Sequence, residues 1–318
     1  MAQIRNYSYK PELNFFLLES ENLKDSFTFG FELEVIKTDG RVNQFVETLL
    51  SDFLAEKFSD DFTEKELFCF KRDGSIGCDG FEIVSQPMTF DWFNNNQSKF
   101  YEMFQFLITN NCISHEQNKC GLHFHMGNNR FEKNNFSTEE SIRRSQLEQV
   151  ATNMNMIINY YQNELKIISR RTETSLRWCK FSDDVGDFKE SKKYIKSSLK
   201  RGHCGLRYHA LNTTNENTLE FRLFRGTLNF KTFYISFNLV NNLAKISCIE
   251  NKAVSFDDLF YSGLDNTYKK YAQDYFNEQR NQPRNRELKI KNSVVFTRAN
   301  PFINKKVIDR KLEEMGLI

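Results

Sequence analysis

The stretch that decides the fold is SFTFGFELEVIK, residues Ser26–Lys37. Apolar side chains occupy every second position, which is the period of a β-strand with one face packed on a core. The other face carries Glu32 and Glu34, whose Cα atoms should lie about 6.5–7 Å apart in a strand. Carboxylates this close repel each other unless a cation lies between them, so a divalent metal is the first candidate. A solvated strand face is the alternative that this stretch leaves open.

The composition indicates a large folded protein. The chain has 318 residues, of which 39% are hydrophobic, so it can form one large domain around a sizeable core. The net charge of +2 gives no overall attraction to nucleic acid. Seven cysteines without a C-x-x-C pair argue against a disulfide framework or structural zinc and favour a reducing compartment. With no signal-peptide pattern and no apolar window of membrane-spanning length, we expect a cytoplasmic protein with no membrane partner.

Hydrophobic periodicity predicts an α+β fold. The predicted strands after the first are Leu67–Arg72, Gly80–Pro87, Gly121–Gly127, Leu206–Asn212 and Thr218–Gly226. The predicted helices are 41–57, 97–109, 138–169 with Thr138 as a cap, 230–249, Leu264–Phe276 and Phe302–Leu317, and 180–206 is predicted to be a charged loop. Because strands and helices do not alternate as regular βαβ units, we expect a mainly antiparallel sheet with helices packed on one face. The expected division is a lead-in at 1–25, a catalytic domain at 26–250 and a helical C-terminal appendage at 251–318.

Four predicted strands carry polar side chains at period two. These are Glu32 with Glu34, Glu82, His123 with His125, and Glu220 with Arg222. If all project from the face that the helices leave free, they form an array of carboxylates and imidazoles that suits Mg²⁺ or Mn²⁺ better than zinc. Taken singly, each has a structural interpretation as a surface glutamate, a hydrogen-bonded histidine or an ion pair. Cys120 lies near His123, but no third group suggests a Cys–His nucleophile, and a small buried thiol is the expected reading.

Seven short motifs together resemble those of the amidoligase family. They are GFELE at 30–34, RDGSI at 72–76, FEIVSQP at 81–87, CGLHFHMG at 120–127, SRR at 169–171, RYHALN at 207–212 and TLEFRLFRGTLN at 218–229. That family is grouped with glutamine synthetase and γ-glutamylcysteine synthetase as carboxylate–amine ligases. The resemblance covers about residues 26–245 and extends neither to 1–25 nor beyond about 250. It implies a curved antiparallel sheet of the glutamine synthetase kind that cradles ATP and Mg²⁺ or Mn²⁺.

The resemblance also implies roles for individual residues. The implied metal ligands are Glu32, Glu34, Glu82, His123 and Glu220. The implied ATP contacts are His125, Arg170, Arg225 and Asn212. The residues implied in the chemical step are Arg222, Asp73 and Arg171, with Arg222 at the phosphate or acyl phosphate.

The expected function is ATP-dependent amide formation between a carboxylate and an amine through an acyl phosphate. Catalysis of phosphoryl transfer is mostly charge neutralisation and alignment, which metals and arginines supply. The acid and the amine could be small molecules, peptide ends or protein side chains, and nucleic acid is not an expected partner. The alternatives are a metal-dependent hydrolase with the same site and a non-catalytic relative that binds nucleic acid through its basic loops. The oligomeric state stays open.

Overall fold

The structure is a computed structural model that describes residues 3–58, 67–115, 119–129, 139–181, 188–199, 207–248, 253–290 and 296–297. Among these residues, nine strands form one sheet with the order β1-β3-β4-β2-β7-β9-β8, and β5 and β6 both pair with β2. The strands are β1 Ile4–Arg5, β2 Thr28–Lys37, β3 Phe68–Lys71, β4 Gly80–Ser85, β5 Met88–Thr89, β6 Cys112–Ile113, β7 Gly121–Gly127, β8 Leu211–Asn212 and β9 Thr218–Arg225. The fold is therefore α+β, as predicted, and the sheet is open.

The central strand is β2, the stretch from which the prediction began. It pairs antiparallel with β4 on one side and with β7 on the other. The sheet is mixed rather than purely antiparallel, because β1 pairs in parallel with β3. The first 25 residues thus contribute a strand to the sheet, and Phe16 from the same segment is buried in the core.

The helices pack mainly on one face of this sheet. They are α1 Val42–Gln44, a π-helical turn at Phe45–Leu50, α2 Ser51–Lys57, α3 Phe90–Asn95, α4 Gln97–Thr109, α5 Glu139–Tyr160, α6 Gln162–Ser169, α7 Glu173–Leu176, α8 Phe188–Ser198 and α9 Phe230–Ser247. The predicted helix at 138–169 is interrupted at Tyr161, whose φ of −95° and ψ of 26° leave the helical region. Its predicted cap, Thr138, lies outside the described residues.

Aromatic side chains fill the space between the sheet and the helices. Phe31 on β2 packs against Phe233 on α9 with ring centroids 5.0 Å apart. Phe124 on β7 packs against Phe237 with centroids 5.1 Å apart. Such pairs add attraction between the rings to the burial of apolar surface. Because the apolar face of β2 and β7 is used in this way, their polar side chains must project from the opposite face.

The prediction of a charged loop at 180–206 was wrong where the structure describes it. Helix α8 occupies Phe188–Ser198, and its buried stripe includes Ser191, Ile195 and Ser198 at helical spacing. Serines carry little hydrophobic signal, so the stripe could not be recognised from apolar periodicity. The predicted strand Leu206–Asn212 is also shorter than expected, because only Leu211 and Asn212 pair as β8.

The C-terminal segment is helical over much of its described length. It contains α10 Phe256–Phe260, α11 Asn266–Arg280, a 3₁₀ turn at Pro283–Asn285, and two short strands, β10 Ala253–Val254 and β11 Phe296–Thr297, that pair with each other. The helix predicted at Leu264–Phe276 is confirmed by α11, whereas Phe302–Leu317 lies outside the described residues. Within the described ranges this segment adds no strand to the main sheet, but Phe256 and Phe276 pack into the same hydrophobic core. No helix in the described part of the chain is long and apolar enough to cross a membrane.

Candidate active site

Three strands bring Glu32, His125 and Glu220 together on the polar face of the sheet. His125 is paired with Gly30 of β2 on one side and with Glu220 of β9 on the other, and Glu32 lies two residues along β2. Nε2 of His125 is 3.3 Å from Oε1 of Glu32. One ligand atom from each of the three side chains lies within 4.8 Å of the other two. We call Glu32, His125 and Glu220 the first acidic group.

Hydrogen bonds orient both ends of this group. Glu220 accepts hydrogen bonds from Nδ2 of Asn212 at 2.6 Å and from Nδ2 of Asn215 at 3.1 Å, and its other oxygen contacts Nη1 of Arg222. Nδ1 of His125 lies 3.2 Å from the hydroxyl of Thr218 in hydrogen-bonding geometry. With Nδ1 held by Thr218, the other ring nitrogen is directed toward the carboxylates.

Internal positive charge balances the first acidic group. Burial raises the pKa of Glu32, but the interactions of its carboxyl with His125 and His123 outweigh burial and hold the pKa well below the usual 4.5. The pKa of Glu220 is also lowered, because His125, Arg222 and His123 together outweigh its burial. Burial lowers the pKa of His125, but Glu32 and Glu220 raise it by more, so that its net shift is upward. The first group is therefore a set of ionised carboxylates that the protein's own cations compensate.

A second cluster, Glu34, Asp73 and Glu82, lies farther along the same face. Glu34 of β2 is the register partner of Glu82 of β4, and Asp73 comes from the turn that follows β3. Their oxygens also approach within 4.8 Å of one another. Oε2 of Glu34 accepts a hydrogen bond from the backbone N–H of Gly121. We call Glu34, Asp73 and Glu82 the second acidic group.

The second acidic group has little internal compensation. Burial raises the pKa of Glu34 to about 7, and neighbouring Asp73 and Glu32 oppose the smaller effect of Arg171. Burial also raises the pKa of Glu82 to about 9, and the charges of Glu32 and Glu34 add to the shift. Two buried carboxyls with raised pKa values need either protons or an external cation.

His123 lies between the two groups. Its Nδ1 is 3.5 Å from Oε2 of Glu32 and 3.5 Å from Oε1 of Glu220. A Cβ atom added to Gly121 would lie 2.8 Å from Nε2 of His123 and 3.5 Å from Oε2 of Glu34, so the far side of the ring faces the second group. The family resemblance implies metal for His123 and ATP phosphate for His125, and in the structure both imidazoles lie close to Glu32 and Glu220. Neither assignment of role is tested by this geometry.

The side chains of both groups fit a divalent metal. Nε2 of His125 is buried and has no hydrogen-bond partner, although a carboxylate oxygen lies 3.3 Å away. A buried, unpartnered imidazole nitrogen is a ready metal ligand. The second group offers only carboxylate oxygens, which are the ligands that Mg²⁺ and Mn²⁺ prefer. Glu32, His125 and Glu220 could therefore hold one ion, and Glu34, Asp73 and Glu82 another.

The predicted arginines occupy different places. Arg171 is buried and donates from Nε to the carbonyl of Leu223 at 3.1 Å and from Nη2 to the carbonyl of Arg222 at 3.0 Å. Arg170 ends α6 in the left-handed conformation with φ of 57°, and Arg225, at the end of β9, is the register partner of Gly121. Of the four arginines predicted in the site, Arg222 alone contacts a carboxylate of either group within the described residues.

The register of β9 shifts opposite His123. Leu122 pairs with Phe224, but Phe124 pairs with Phe221, so β9 has one extra residue in this interval. Regular alternation would place Phe224 on the same face as Glu220, but the extra residue turns it to the core, where it pairs with buried Leu122 and its ring contacts Phe124. The bulge is held by Arg171, whose two carbonyl partners belong to the bulged residues, and such irregularities commonly reposition side chains beside active sites.

Cys120 does not provide a nucleophile. It is buried, and burial together with the charge of Glu34 raises the pKa of its thiol to about 12. A reactive cysteine needs a lowered pKa to supply thiolate near neutral pH. This agrees with the expected reading of Cys120 as a small buried thiol.

A cavity of about 490 Å³ opens beside the first acidic group. Glu32 and His125 form one wall, and Val84 and Pro87 contribute apolar surface. Amide side chains also line it, including Asn128, whose Oδ1 is buried without a hydrogen-bond partner. An apolar cleft with a few convergent polar groups is typical of a small-molecule site.

Comparison with family models finds no match for this chain, and comparison with curated proteins finds none either. Solved structures do match, and one of them is described as apo GmaS without ligand. It is 12% identical to this chain with a TM-score of 0.37, and the match covers 71% of this chain and 54% of that chain. This chain thus corresponds to about half the length of the matched protein. We base no assignment on a likeness this weak, and membership of the amidoligase family stays a prediction.

Sequence reasoning missed several residues that build the site. Asn215 and Thr218 orient Glu220 and His125, and the backbone N–H of Gly121 holds Glu34. The side-chain amide of Asn212 donates to Glu220, and its expected contact with the nucleotide stays a prediction. Asn215 lies in a polar turn between two strands, and this feature alone does not distinguish a site residue from a residue of an ordinary surface turn.

Proposed function

We propose that this protein is an ATP-dependent carboxylate–amine ligase that forms an amide through an acyl phosphate. The observation that carries the proposal is the pair of acidic groups on one sheet face, with Arg222 bound to the first and a cavity beside it. The carboxylate charge of one group is compensated by the protein's own cations, and that of the other is not. Two such adjacent sites suit a reaction in which several phosphate oxygens bind divalent cations.

The cavity of about 490 Å³ is the proposed site of the nucleoside of ATP. Its apolar surface suits the faces of a purine, and the unpartnered Asn128 Oδ1 can accept a hydrogen bond from an exocyclic amine. A nucleoside in this cavity places the triphosphate beside Glu32 and His125, which line the same cavity. When bound, divalent metal supplies neutralisation of the phosphate charge at the two acidic groups.

Residues of this chain have separate roles in the two chemical steps. An oxygen of the acid attacks the γ-phosphorus as the bond to the ADP oxygen breaks, and Arg222 is placed to bind the transferring phosphoryl group. The amine nitrogen next attacks the acyl carbon, phosphate leaves with the C–O electron pair, and the nitrogen loses a proton. Asn212 and Asn215 act as positioning residues, since they hold the carboxylate that contacts Arg222.

Calorimetric titration with Mg-ATP tests the proposal directly. The wild-type protein should bind Mg-ATP, and Glu34→Ala and Glu220→Ala should bind it at least about tenfold more weakly, since each removes a carboxylate that would hold the divalent metal. Glu216→Ala is the control, because Glu216 is exposed in the same hairpin as Glu220. Circular dichroism of each variant separates loss of binding from loss of fold.

A screen of acids and amines for amine-dependent ADP release would then identify the substrates. Metal-dependent hydrolysis without ATP consumption would favour the hydrolase alternative instead. No Mg-ATP binding by the wild-type protein would refute the ligase.

A further inference from the structure

The segment that precedes β2 forms one side of the cavity of about 490 Å³. Pro11, Leu13 and Phe15 line this cavity together with residues of β2, β4 and β7. The resemblance to the amidoligase family does not extend to residues 1–25, so it implies nothing about these three side chains. We call Pro11, Leu13 and Phe15 the N-terminal wall.

The side chains of the N-terminal wall follow a period of two. The next residue in the chain, Phe16, lies on the other side of the segment and is buried in the hydrophobic core. Leu13 is 54% exposed, and within the described residues neither Leu13 nor Phe15 belongs to that core. Core packing therefore does not explain why these positions carry large apolar side chains.

Hydrogen bonds from Gln86 fix the backbone on both sides of Leu13. The side chain of Gln86 is buried, and its Nε2 donates to the carbonyl of Glu12 at 2.9 Å. Its Oε1 accepts a hydrogen bond from the backbone N–H of Asn14 at 3.2 Å. Gln86 directly follows β4, so these two hydrogen bonds hold Leu13 in a defined position relative to the sheet.

The chain on the C-terminal side of the wall is also attached to the cavity. The backbone N–H of Phe16 donates to the carbonyl of Pro87 at 2.9 Å, and the carbonyl of Phe16 accepts from the N–H of Thr89 at 3.0 Å. Farther along, the carbonyl of Leu23 accepts a hydrogen bond of 2.8 Å from Nδ2 of Asn129. Pro87 and Asn129 both line the cavity. The N-terminal wall is therefore part of the cavity before any ligand enters.

The exposed surface of Leu13 can be buried when a ligand fills the cavity, which is favourable for an apolar side chain. We propose, on the basis of the ligase function above, that the N-terminal wall packs against the nucleoside of ATP and that Leu13 is a specificity-determining residue for the base. The base is then enclosed between this wall and the apolar surface that Val84 and Pro87 contribute. The triphosphate lies beside Glu32 and His125, so the base and the phosphates contact different residues.

Calorimetry with two ligands tests the role of Leu13. Mg-ATP carries the base, whereas Mg-tripolyphosphate carries the phosphates alone. Leu13→Ser should bind Mg-ATP about fivefold more weakly than the wild type, because it loses apolar contact with the base, and should bind Mg-tripolyphosphate as the wild type does. Leu13→Met keeps an apolar side chain of similar size and should bind Mg-ATP with wild-type affinity. Leu49→Ser is the matched control, since Leu49 is 55% exposed and lies outside this cavity.

The outcomes separate this proposal from the ligase proposal. If the wild type and Leu13→Ser bind Mg-ATP equally, the N-terminal wall does not contact the nucleoside, and the ligase proposal stands. An equal loss of affinity for Mg-tripolyphosphate would mean that Leu13 does not act on the base, which also overturns its proposed role. No Mg-ATP binding by the wild type would refute the ligase and, with it, the assignment of a nucleoside to this wall. Melting temperatures should match among the variants, because Leu13 is half exposed.

Photolabelling locates the base directly. After irradiation, 2-azido-ATP with Mg²⁺ should label the tryptic peptide that ends at Lys24, because this peptide contains the N-terminal wall. Excess ATP should suppress the label. Label confined to peptides from the rest of the chain would overturn the contact between the wall and the base.

Discussion

The two acidic groups share one sheet face but differ in how their charge is balanced. In the first, His123, His125 and Arg222 lie against Glu32 and Glu220, and the pKa values of both carboxyls are lowered. In the second, buried Glu34 and Glu82 have pKa values raised to about 7 and about 9. The first group is therefore compatible with a folded protein that holds no metal, whereas the second must take up protons or an external cation near neutral pH.

Because of this difference, removing a carboxylate charge from one group should change the free energy of unfolding in the opposite direction from removing it from the other. A carboxylate removed from the first group leaves buried cations without a partner. A carboxylate neutralised in the second group removes repulsion. Variants of the two groups should therefore shift the stability of the metal-free protein in opposite directions, even though both should impair metal binding.

The largest expected effect is that of Glu220→Gln on the metal-free protein. The substitution leaves Arg222 without the buried carboxylate that contacts it, and leaves Glu32 as the remaining carboxylate beside His125. Loss of one partner of a buried ion pair typically costs about 3–5 kcal/mol in the free energy of unfolding. Urea denaturation at neutral pH measures this loss, with Glu216→Gln in the same hairpin as the control. A free energy of unfolding equal to that of the control would mean that the first group is not internally balanced.

The second expected effect is a loss of stability with rising pH in the absence of metal. The folded chain holds the protons of Glu34 and Glu82 more tightly than the unfolded chain, where the pKa is near 4.5. Their contribution to stability is fully present below pH 4.5 and is lost as pH rises through about 7 and about 9. For Glu34 alone the loss is about 3 kcal/mol, at about 1.4 kcal/mol for each pKa unit.

Denaturation curves from pH 5 to 9, with and without Mn²⁺, measure that effect. Mn²⁺ should reduce the loss because it replaces the protons as counter-charge. A metal-free stability that rises over this range would show that the carboxyls of the second group are already compensated.

A smaller effect of the opposite sign is expected for Glu82→Gln. At pH 8 the buried carboxyl of Glu82 must hold a proton that it would lose in the unfolded chain, whereas the amide has no such cost, so the metal-free protein should gain about 1–2 kcal/mol of stability at pH 8. The thermal shift produced by Mn²⁺ should shrink at the same time. Asp79→Asn, an exposed neighbour at the start of β4, is the control. A less stable metal-free variant would contradict the comparison between the groups.

The sequence predicted much of this site because β2, β4 and β7 alternate regularly. Once Phe31 and Leu33 are assigned to the core, Glu32 and Glu34 must project from the other face, and the same logic applies to His123 and His125. The sequence did not predict which carboxylates and which imidazole lie close enough to hold one metal ion, because this depends on the register between strands. The sequence does not encode that register locally.

The regions that escaped prediction depend on contacts distant in sequence or on unusual residues. Side chains of β9 do not alternate regularly between the two faces at its bulge. Arg171, which is not part of β9, stabilises the bulge through hydrogen bonds to two backbone carbonyls. Helix α8 was not predicted because serines form part of its buried face. Strand β1 has two residues and is stabilised by pairing with β3, so its local pattern carried almost no signal.

The smallest expected effect concerns Arg222→Lys, which tests whether this arginine only balances the first group. The side chain contacts Glu220 and is 12% exposed, and its Nε lies 3.4 Å from the carbonyl of Trp178. Lysine preserves the positive charge beside Glu220, so the metal-free stability should change little. It cannot reproduce the planar fork of donors that matches phosphate oxygens.

If Arg222 binds the transferring phosphoryl group, kcat for amine-dependent ADP release should fall by about tenfold, which corresponds to about 1.4 kcal/mol of lost transition-state stabilisation. Comparison of kcat and melting temperature for the wild type and Arg222→Lys measures the two contributions separately. An unchanged kcat would confine Arg222 to balancing the charge of Glu220. A lowered kcat at an unchanged melting temperature would show that the same guanidinium acts on the substrate, because a residue that serves only the fold would alter stability first.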